Sequence, residues 1–261
     1  MGNRLRLLGT EEARARAYSI AESFAYIYHT SVRVEITNII LRSLYATEPF
    51  LEDDKLALVA RKYFMEGYSP PLVCLRCGGN NYLIDGHHRA YVYLLAGVKM
   101  VKSYVFTFED PIEYVPKYKL ELSAMGLLNL ESPVSSTLRV WHFMFRTLYW
   151  LKRIHGENFF VVLKEIPLRD LVPTQEYILL RGPYSNSQEP ILVTKHETKY
   201  YIIDGHTRSY VKWLEDRDSS IRALVIIMTK GVLGFVRTSK RMGVQGLFDI
   251  KVVRKRENSE T

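Results

Sequence analysis

Two kinds of apolar spacing alternate along residues 71–95, PLVCLRCGGNNYLIDGHHRAYVYLL. Leu72-Val73-Cys74 and Tyr82-Leu83-Ile84 are short apolar runs around the polar turn Gly78-Gly79-Asn80, a pattern that predicts a β-hairpin. Beyond Asp85-Gly86 the spacing becomes helical. Tyr91, Leu94 and Leu95 share one face, and Gly97 suits the helix end. A further strand is expected over 101–106. Upstream, 53–66 (DDKLALVARKYFME) reads as a helix with Asp53 or Asp54 as its cap and Gly67 as its stop.

The same pattern returns later in the chain. Residues 190–214, PILVTKHETKYYIIDGHTRSYVKWL, align with 71–95 without a gap at a constant offset of 119, and nine of the last fourteen positions are identical. Chance similarity does not keep a polar cluster and both its apolar flanks in register, so the unit is duplicated. The second copy again predicts a hairpin, a helix with Tyr210, Val211 and Leu214 on one face, and a strand over 221–228. Its upstream helix is expected to be shortened or missing, because Pro173, Gly182 and Pro183 interrupt 172–186.

Outside the copies, 12–29 predicts an N-terminal helix, 111–116 a loop, and 135–155 a long helix with an aromatic stripe. Trp141, Phe143, Phe145, Tyr149 and Trp150 on that stripe are expected to pack between the halves. The end of the chain from Lys251, KVVRKREN, is expected to be a solvated basic tail.

At 47% hydrophobic and 25% charged residues the composition is that of a globular protein, and no apolar run approaches the roughly 20 residues of a membrane span. The N-terminus lacks the apolar core of a signal peptide, so a cytoplasmic location without membrane attachment is expected. The net charge of +8 favours anionic partners such as nucleotides, phosphorylated metabolites or nucleic acid, without choosing among them. Few Gln and Cys hint at a hot host. Cys74 and Cys77 form one C-x-x-C. They would complete a tetrahedral metal site with His87 and His88 only if the hairpin folded the four together, and small residues on a strand and its turn are the plainer expectation. No protein metal ligands are assigned.

A strand that ends in Asp-Gly and passes directly into a helix leaves the first backbone N–H groups without internal partners, at the end where the helix dipole favours an anion. Gly86 and Gly205 would let main chain approach an oxyanion, and Arg89 and Arg208 would add a two-pronged guanidinium contact. His87 and His206 could donate to a phosphoryl oxygen or move a proton near neutral pH, with Asp85 or Asp204 orienting the imidazole, holding Mg²⁺ or accepting a hydroxyl proton. His88 is Thr207 in the other copy. The plainer reading, Asp as a helix cap with surface His and Arg, accounts for the Asp but not for His and Arg at fixed offsets twice.

The order helix, Gly67-Tyr68-Ser69-Pro70-Pro71-Leu72-Val73, hairpin, Asp85-Gly86-His87-His88-Arg89, helix resembles the ParB-like/sulfiredoxin-like superfamily, and its D-G-H-H-R spelling is most similar to archaeal free-serine kinases. Partition proteins more often spell G-E-R-R there, and sulfiredoxins need a cysteine in the turn, which here would replace Gly86 or His87. The resemblance implies an α+β fold: two tandem ParB/sulfiredoxin-like units, each a short mixed sheet plus helices, at 34–110 and 164–230. Around them lie an N-terminal helix (1–33), a helical connector (111–163) and a basic tail (231–261). It implies a nucleotide-binding phosphotransferase, a kinase of free serine or a similar small hydroxylated metabolite, using Mg²⁺ with ATP or ADP. In that reading Glu48, Asp85 and His87 are catalytic, while Gly86, His88, Arg89, Asp204, Gly205, His206, Thr207 and Arg208 bind nucleotide or phosphate. The second copy has Gln175 where the first has Glu48, with Glu176 one residue on, and Gln cannot act as a base, so catalysis is expected in the first copy. The alternative is a ParB-like, DNA-associated nucleotide-binding protein or nuclease.

Overall fold

The structure, a computed structural model, describes residues 7–128, 136–180 and 188–254. It is a mixed α+β protein that divides into two compact units, Met1–Gly156 and Glu157–Thr261. The first contains α1 (Thr10–Tyr28), β1 (Val32–Ile40), β2 (Leu44–Ala46), β3 (Phe50–Glu52), α2 (Asp53–Glu66), β4 (Leu72–Cys77), β5 (Asn80–Asp85), α3 (His87–Leu95), β6 (Met100–Phe108), β7 (Leu120–Glu121), β8 (Gly126–Leu128) and α4 (Ser136–His155). The second contains β9 (Phe159–Pro167), β10 (Leu171–Val172), β11 (Tyr177–Leu180), β12 (Ile191–His196), β13 (Lys199–Asp204), α5 (His206–Glu215), β14 (Ser220–Met228), α6 (Gly234–Met242) and β15 (Lys251–Arg254). None of the described helices is long and apolar enough to cross a membrane.

The two main sheets have one design. In the first unit the strand order is β1-β6-β4-β5-β2-β7, and in the second β9-β14-β12-β13-β10 runs through the same sequence of partners. Each contains an antiparallel hairpin (β4 with β5, β12 with β13), a parallel neighbour on either side of it, and a long antiparallel strand at one edge. Both hairpins carry a register shift at the equivalent place, between Val73 and Cys74 and between Leu192 and Val193. A bulge adds a residue to one strand and increases its local twist. Here it re-aims the chain immediately before Asp85 and Asp204.

Apolar burial explains the layering. Leu72, Val73, Cys74 and Leu75 are all buried, as is expected of a central strand covered on both faces. On one face, Ala17 and Ala21 of α1 pack against Val73, Leu75, Tyr82, Tyr104 and Phe106. Small residues at four-residue spacing let that helix approach the sheet closely. α3 is buried from His87 to Leu95 and packs on α2, which packs in turn on α4.

Several local expectations change. α2 begins at Asp53 with Glu52 as its N-cap, so neither Asp53 nor Asp54 is the cap, and no side chain caps that end. Gly67, at φ 68, does end it. The aromatic stripe expected to pack between the halves instead contributes to the first unit's own core. Trp141, Phe145 and Tyr149 are buried, with Trp141 stacked on Phe64 and Tyr149 against Tyr91, while Phe143 and Trp150 are exposed. The basic end is not wholly a tail, because Lys251–Arg254 pairs in parallel with β11. In the second copy the described residues before β12 carry a short 3-10 turn at Leu168–Asp170, β10 and β11 but no α-helix, and residues 181–187, with Gly182 and Pro183, lie outside the description.

Candidate active site

Gly86 is the N-cap of α3 at φ 99, and Gly205 holds the same place before α5 at φ 100. This left-handed conformation is one that residues with a Cβ avoid. Space excludes a side chain as well. A Cβ on Gly86 would lie 2.8 Å from both Leu72 Cδ2 and Arg89 Nη2, and one on Gly205 would lie 2.4 Å from Ile191 Cγ2. Glycine therefore lets strand, turn and helix meet in each copy, and it leaves the start of the helix open to a ligand.

The histidines are turned inward. His87 is 2% exposed, and its Nε2 accepts the Thr47 backbone N–H at 3.2 Å, while the Thr47 hydroxyl donates to the Leu83 carbonyl at 2.7 Å. His206 repeats the arrangement with Thr174, its Nε2 accepting that N–H at 3.1 Å while the Thr174 hydroxyl donates to the Ile202 carbonyl at 2.6 Å. An Nε2 that accepts carries no proton, so each neutral ring keeps its proton on Nδ1. In the first copy Nδ1 lies 3.4 Å from Glu48 Oε2. Burial lowers His87 from the usual 6.5 to about 4 and His206 likewise to about 4. Neither ring exchanges a proton near neutral pH in this environment, and His87 Nδ1 faces the Glu48 carboxylate.

His88 has a different task from the one expected of it. Its Nε2 accepts the Glu52 backbone N–H at 3.0 Å, and burial, with Lys55 adding to it, lowers the ring to about 3. It ties the entrance of α2 to α3. Thr207, half-buried at the equivalent position, belongs to a unit in which the described residues supply no such helix.

Asp85 and Arg89 are likewise committed to the fold. Arg89 Nη1 donates to the Pro70 and Pro71 carbonyls at 3.2 and 2.9 Å, and Nη2 donates to Asp85 Oδ2 at 2.8 Å. Arg208 is held in the same way by the Glu189 and Pro190 carbonyls and by Asp204. The two-pronged phosphate contact expected of these arginines is thus replaced by internal hydrogen bonds, and what remains for a ligand is their positive charge. Asp85 does not orient His87. Its other oxygen, Oδ1, accepts from Arg16 Nε of α1 at 3.0 Å.

These groups border a cleft of about 260 Å³ lined by Leu7, Leu8, Arg16, Glu48, Lys55, Val59, Tyr68, Asp85, Gly86 and the first turn of α3. Glu48 projects into it with its side chain 55% exposed. Partial burial raises its carboxyl above the usual range, against the pull of Lys55 and with help from Asp85 and Glu52. The cleft therefore combines one carboxylate not tied to a guanidinium, the cations Arg16 and Lys55, and the positive end of a nine-residue helix. Such a set can bind an anion and take a proton from a hydroxyl.

Sequence reasoning identified Glu48 and the five residues Asp85 to Arg89 but missed Thr47, Arg16 and Lys55. A signal for Thr47 was present. Leu41-Arg42-Ser43-Leu44-Tyr45-Ala46-Thr47-Glu48 aligns with Leu168-Arg169-Asp170-Leu171-Val172-Pro173-Thr174-Gln175 at an offset of 127, a register eight residues away from that of the hairpins. Arg16 and Lys55 reach the cleft from helices without such a motif. Cys74 and Cys77 are free thiols. Cys74 is buried, which raises it to about 12, and Cys77 Sγ donates to the Ile112 carbonyl at 3.0 Å. Among the described residues neither cysteine joins a group of three potential metal ligands.

No protein-family model, curated protein or solved structure matches this chain.

Proposed function

We propose that the chain is a nucleotide-dependent small-molecule kinase built from two tandem ParB/sulfiredoxin-like units, with its reaction centre in the first. One difference carries the reading. The first copy places Glu48 beside His87 Nδ1 in a cationic cleft, whereas the second has Gln175 at the corresponding position. Both copies keep the Asp-Gly-His-Arg scaffold, so the scaffold alone does not account for the glutamate.

Phosphoryl transfer asks a protein chiefly to position the reactants, neutralise charge and deprotonate the attacking hydroxyl. The first-turn N–H groups of α3, with Lys55 and Arg16, suit the phosphates of ATP or ADP. Glu48, held above the usual carboxylate range by burial, suits the role of base for the hydroxyl of free serine or a similar metabolite. His87 is a positioning residue, its Nδ1–H facing the Glu48 carboxylate. Mg²⁺ would arrive with the nucleotide and keep several of its waters, supplying charge neutralisation. Its remaining ligands would come from the phosphates and water, because both Asp85 oxygens already accept from arginines and Glu48 is needed as the base. At about 260 Å³ the cleft suits a small acceptor and the phosphate end of a nucleotide.

The test is purified protein incubated with Mg²⁺, ATP or ADP, and a panel of hydroxylated amino acids, with thermal shift read for ATP, ADP, CTP and GTP. A phosphorylated amino acid, lost in Glu48→Gln while the nucleotide shift persists, is expected. No product with any acceptor would refute the proposal, and a shift with CTP alone together with a DNA gel shift at low salt would favour the nucleotide-gated DNA binder.

A further inference from the structure

Away from the cleft, α2 and α4 enclose a second group of side chains. Asp53 and Asp54 are the first two residues of α2, and His142 lies on the facing side of α4. Asp53 is 2% exposed, and neither of its carboxylate oxygens has a hydrogen-bond partner among the described residues; Asp54 Oδ1 and His142 Nε2 also lack one. His142 Nε2 lies 2.8 Å from Asp53 Oδ2 and 3.7 Å from Asp54 Oδ1. At 2.8 Å the first pair is close enough to be an ion pair, yet it does not meet the angular requirement of a hydrogen bond. Three potential ligand atoms, one from each residue, lie within 4.8 Å of one another.

Burying adjacent carboxylates without donors is strongly disfavoured. The positive end of α2 favours acids in its first turn, but it explains exposed acids better than two buried ones that aim at an imidazole and cap nothing. From this convergence we infer that Asp53, Asp54 and His142 form a site for a divalent first-row transition-metal ion, with Zn²⁺ or Mn²⁺ the best fit. Bond lengths of about 2.0–2.2 Å to imidazole nitrogen and carboxylate oxygen are compatible with the observed spacings. Two carboxylates and one imidazole suit these ions better than Ca²⁺, which takes six to eight oxygens, or Mg²⁺, which prefers oxygen and its own waters. The His142 side chain is 16% exposed, but its Nε2 and the facing carboxylate oxygens are buried, so enclosed water would complete the coordination. The ion would clamp α4 to the turn that also carries Glu52, whose N–H bonds His88, and Lys55, which lines the cleft.

Protein stripped with chelator is titrated with Co²⁺, Zn²⁺, Mn²⁺, Mg²⁺ and Ca²⁺ in the absence of nucleotide, so that the outcome is independent of kinase activity. Expected are one Co²⁺ or Zn²⁺ per chain by calorimetry, visible Co²⁺ d–d bands, and a rise in melting temperature that Mg²⁺ and Ca²⁺ do not reproduce. His142→Ala and Asp53→Asn, checked for folding by circular dichroism, should each weaken binding by more than the roughly 10–100-fold that loss of an outer-shell partner costs. Absence of stoichiometric binding by wild type would overturn the inference, as would a folded His142→Ala that binds like wild type. A Co²⁺ spectrum dominated by thiolate charge transfer would also overturn it, by placing the ion at the cysteines.

Discussion

Acid should weaken this protein well above the pH at which most carboxylates titrate, and His87 provides a direct probe. Its ring is held neutral at about 4 by burial, whereas in the unfolded chain it returns to about 6.5. Above pH 6.5 neither state is protonated and the histidine makes no difference. As pH falls below that value only the unfolded chain takes up the proton, so stability declines until the folded ring titrates near 4. At pH 5 the unfolded state gains about 2 kcal/mol from one such histidine, and by pH 4 the gain approaches about 3 kcal/mol. His88, at about 3, adds a similar amount in the first unit, and His206, at about 4, does so in the second.

Other groups also titrate, among them Glu48 and Asp54, whose raised carboxyls act in the opposite sense by favouring the folded state as they become protonated. The comparison that isolates His87 is wild type against His87→Gln, whose side-chain carbonyl can still accept the Thr47 N–H. Urea unfolding of both at pH 7 and pH 5 should show the variant losing about 2 kcal/mol less than wild type over that interval. Equal losses would refute the placement of His87, because a ring free to protonate in the folded state contributes no such slope. Proton NMR offers an independent reading: the His87 ring signal should not titrate between pH 7 and 5.

Three further outcomes follow from the same geometry. Gly86→Ala combines a left-handed φ of 99 with contacts of 2.8 Å, so it should lose about 2–5 kcal/mol by urea unfolding, against about 1–2 kcal/mol for Gly67→Ala, whose φ is 68 with open space around it. Arg89→Ala removes a buried guanidinium, stripping the half-buried Asp85 of its Nη2 partner and two carbonyls of their donor, and should cost about 2–4 kcal/mol by the same assay; a loss of nucleotide affinity without a loss of stability would show that the guanidinium serves a ligand instead. Cys74, buried and raised to about 12, should remain unlabelled by a thiol reagent at pH 8 until the protein is denatured.

The duplicated hairpin and helix were legible because they are local: each is a contiguous run with its own spacing and its own obligatory glycine. The wiring of the site was less so. Arg89 and Arg208 have the residue type and position of phosphate ligands, and only tertiary structure reveals that the carbonyls before β4 and β12 occupy them. The threonine that fixes each histidine was hidden by a change of register, since Thr47 and Thr174 repeat at 127 whereas His87 and His206 repeat at 119. The aromatic stripe of α4 could be recognised as apolar from spacing, but which half it serves depends on how the chain returns. Asp53 and Asp54 read as cap residues because a sequence shows helix position and not what faces it.

The difference between the copies is best understood through α2. In the first unit this helix is anchored by His88, supplies Lys55, and leaves all of α3 buried. In the second, α5 is buried only at His206 and Ser209, and Thr207 replaces the histidine that would have held such a helix. A carboxylate base works best where partial exclusion of water raises its pKa toward the working pH. Partial burial raises Glu48 in this way, whereas the second copy has Gln175 and, among its described residues before β12, no α-helix. If enclosure by α2 is what raises Glu48, restoring Glu at 175 alone should not create activity, because the described residues of the second copy before β12 carry no equivalent helix. A Gln175→Glu, Glu48→Gln protein that phosphorylates an acceptor at the wild-type rate would show that the enclosing helix is dispensable.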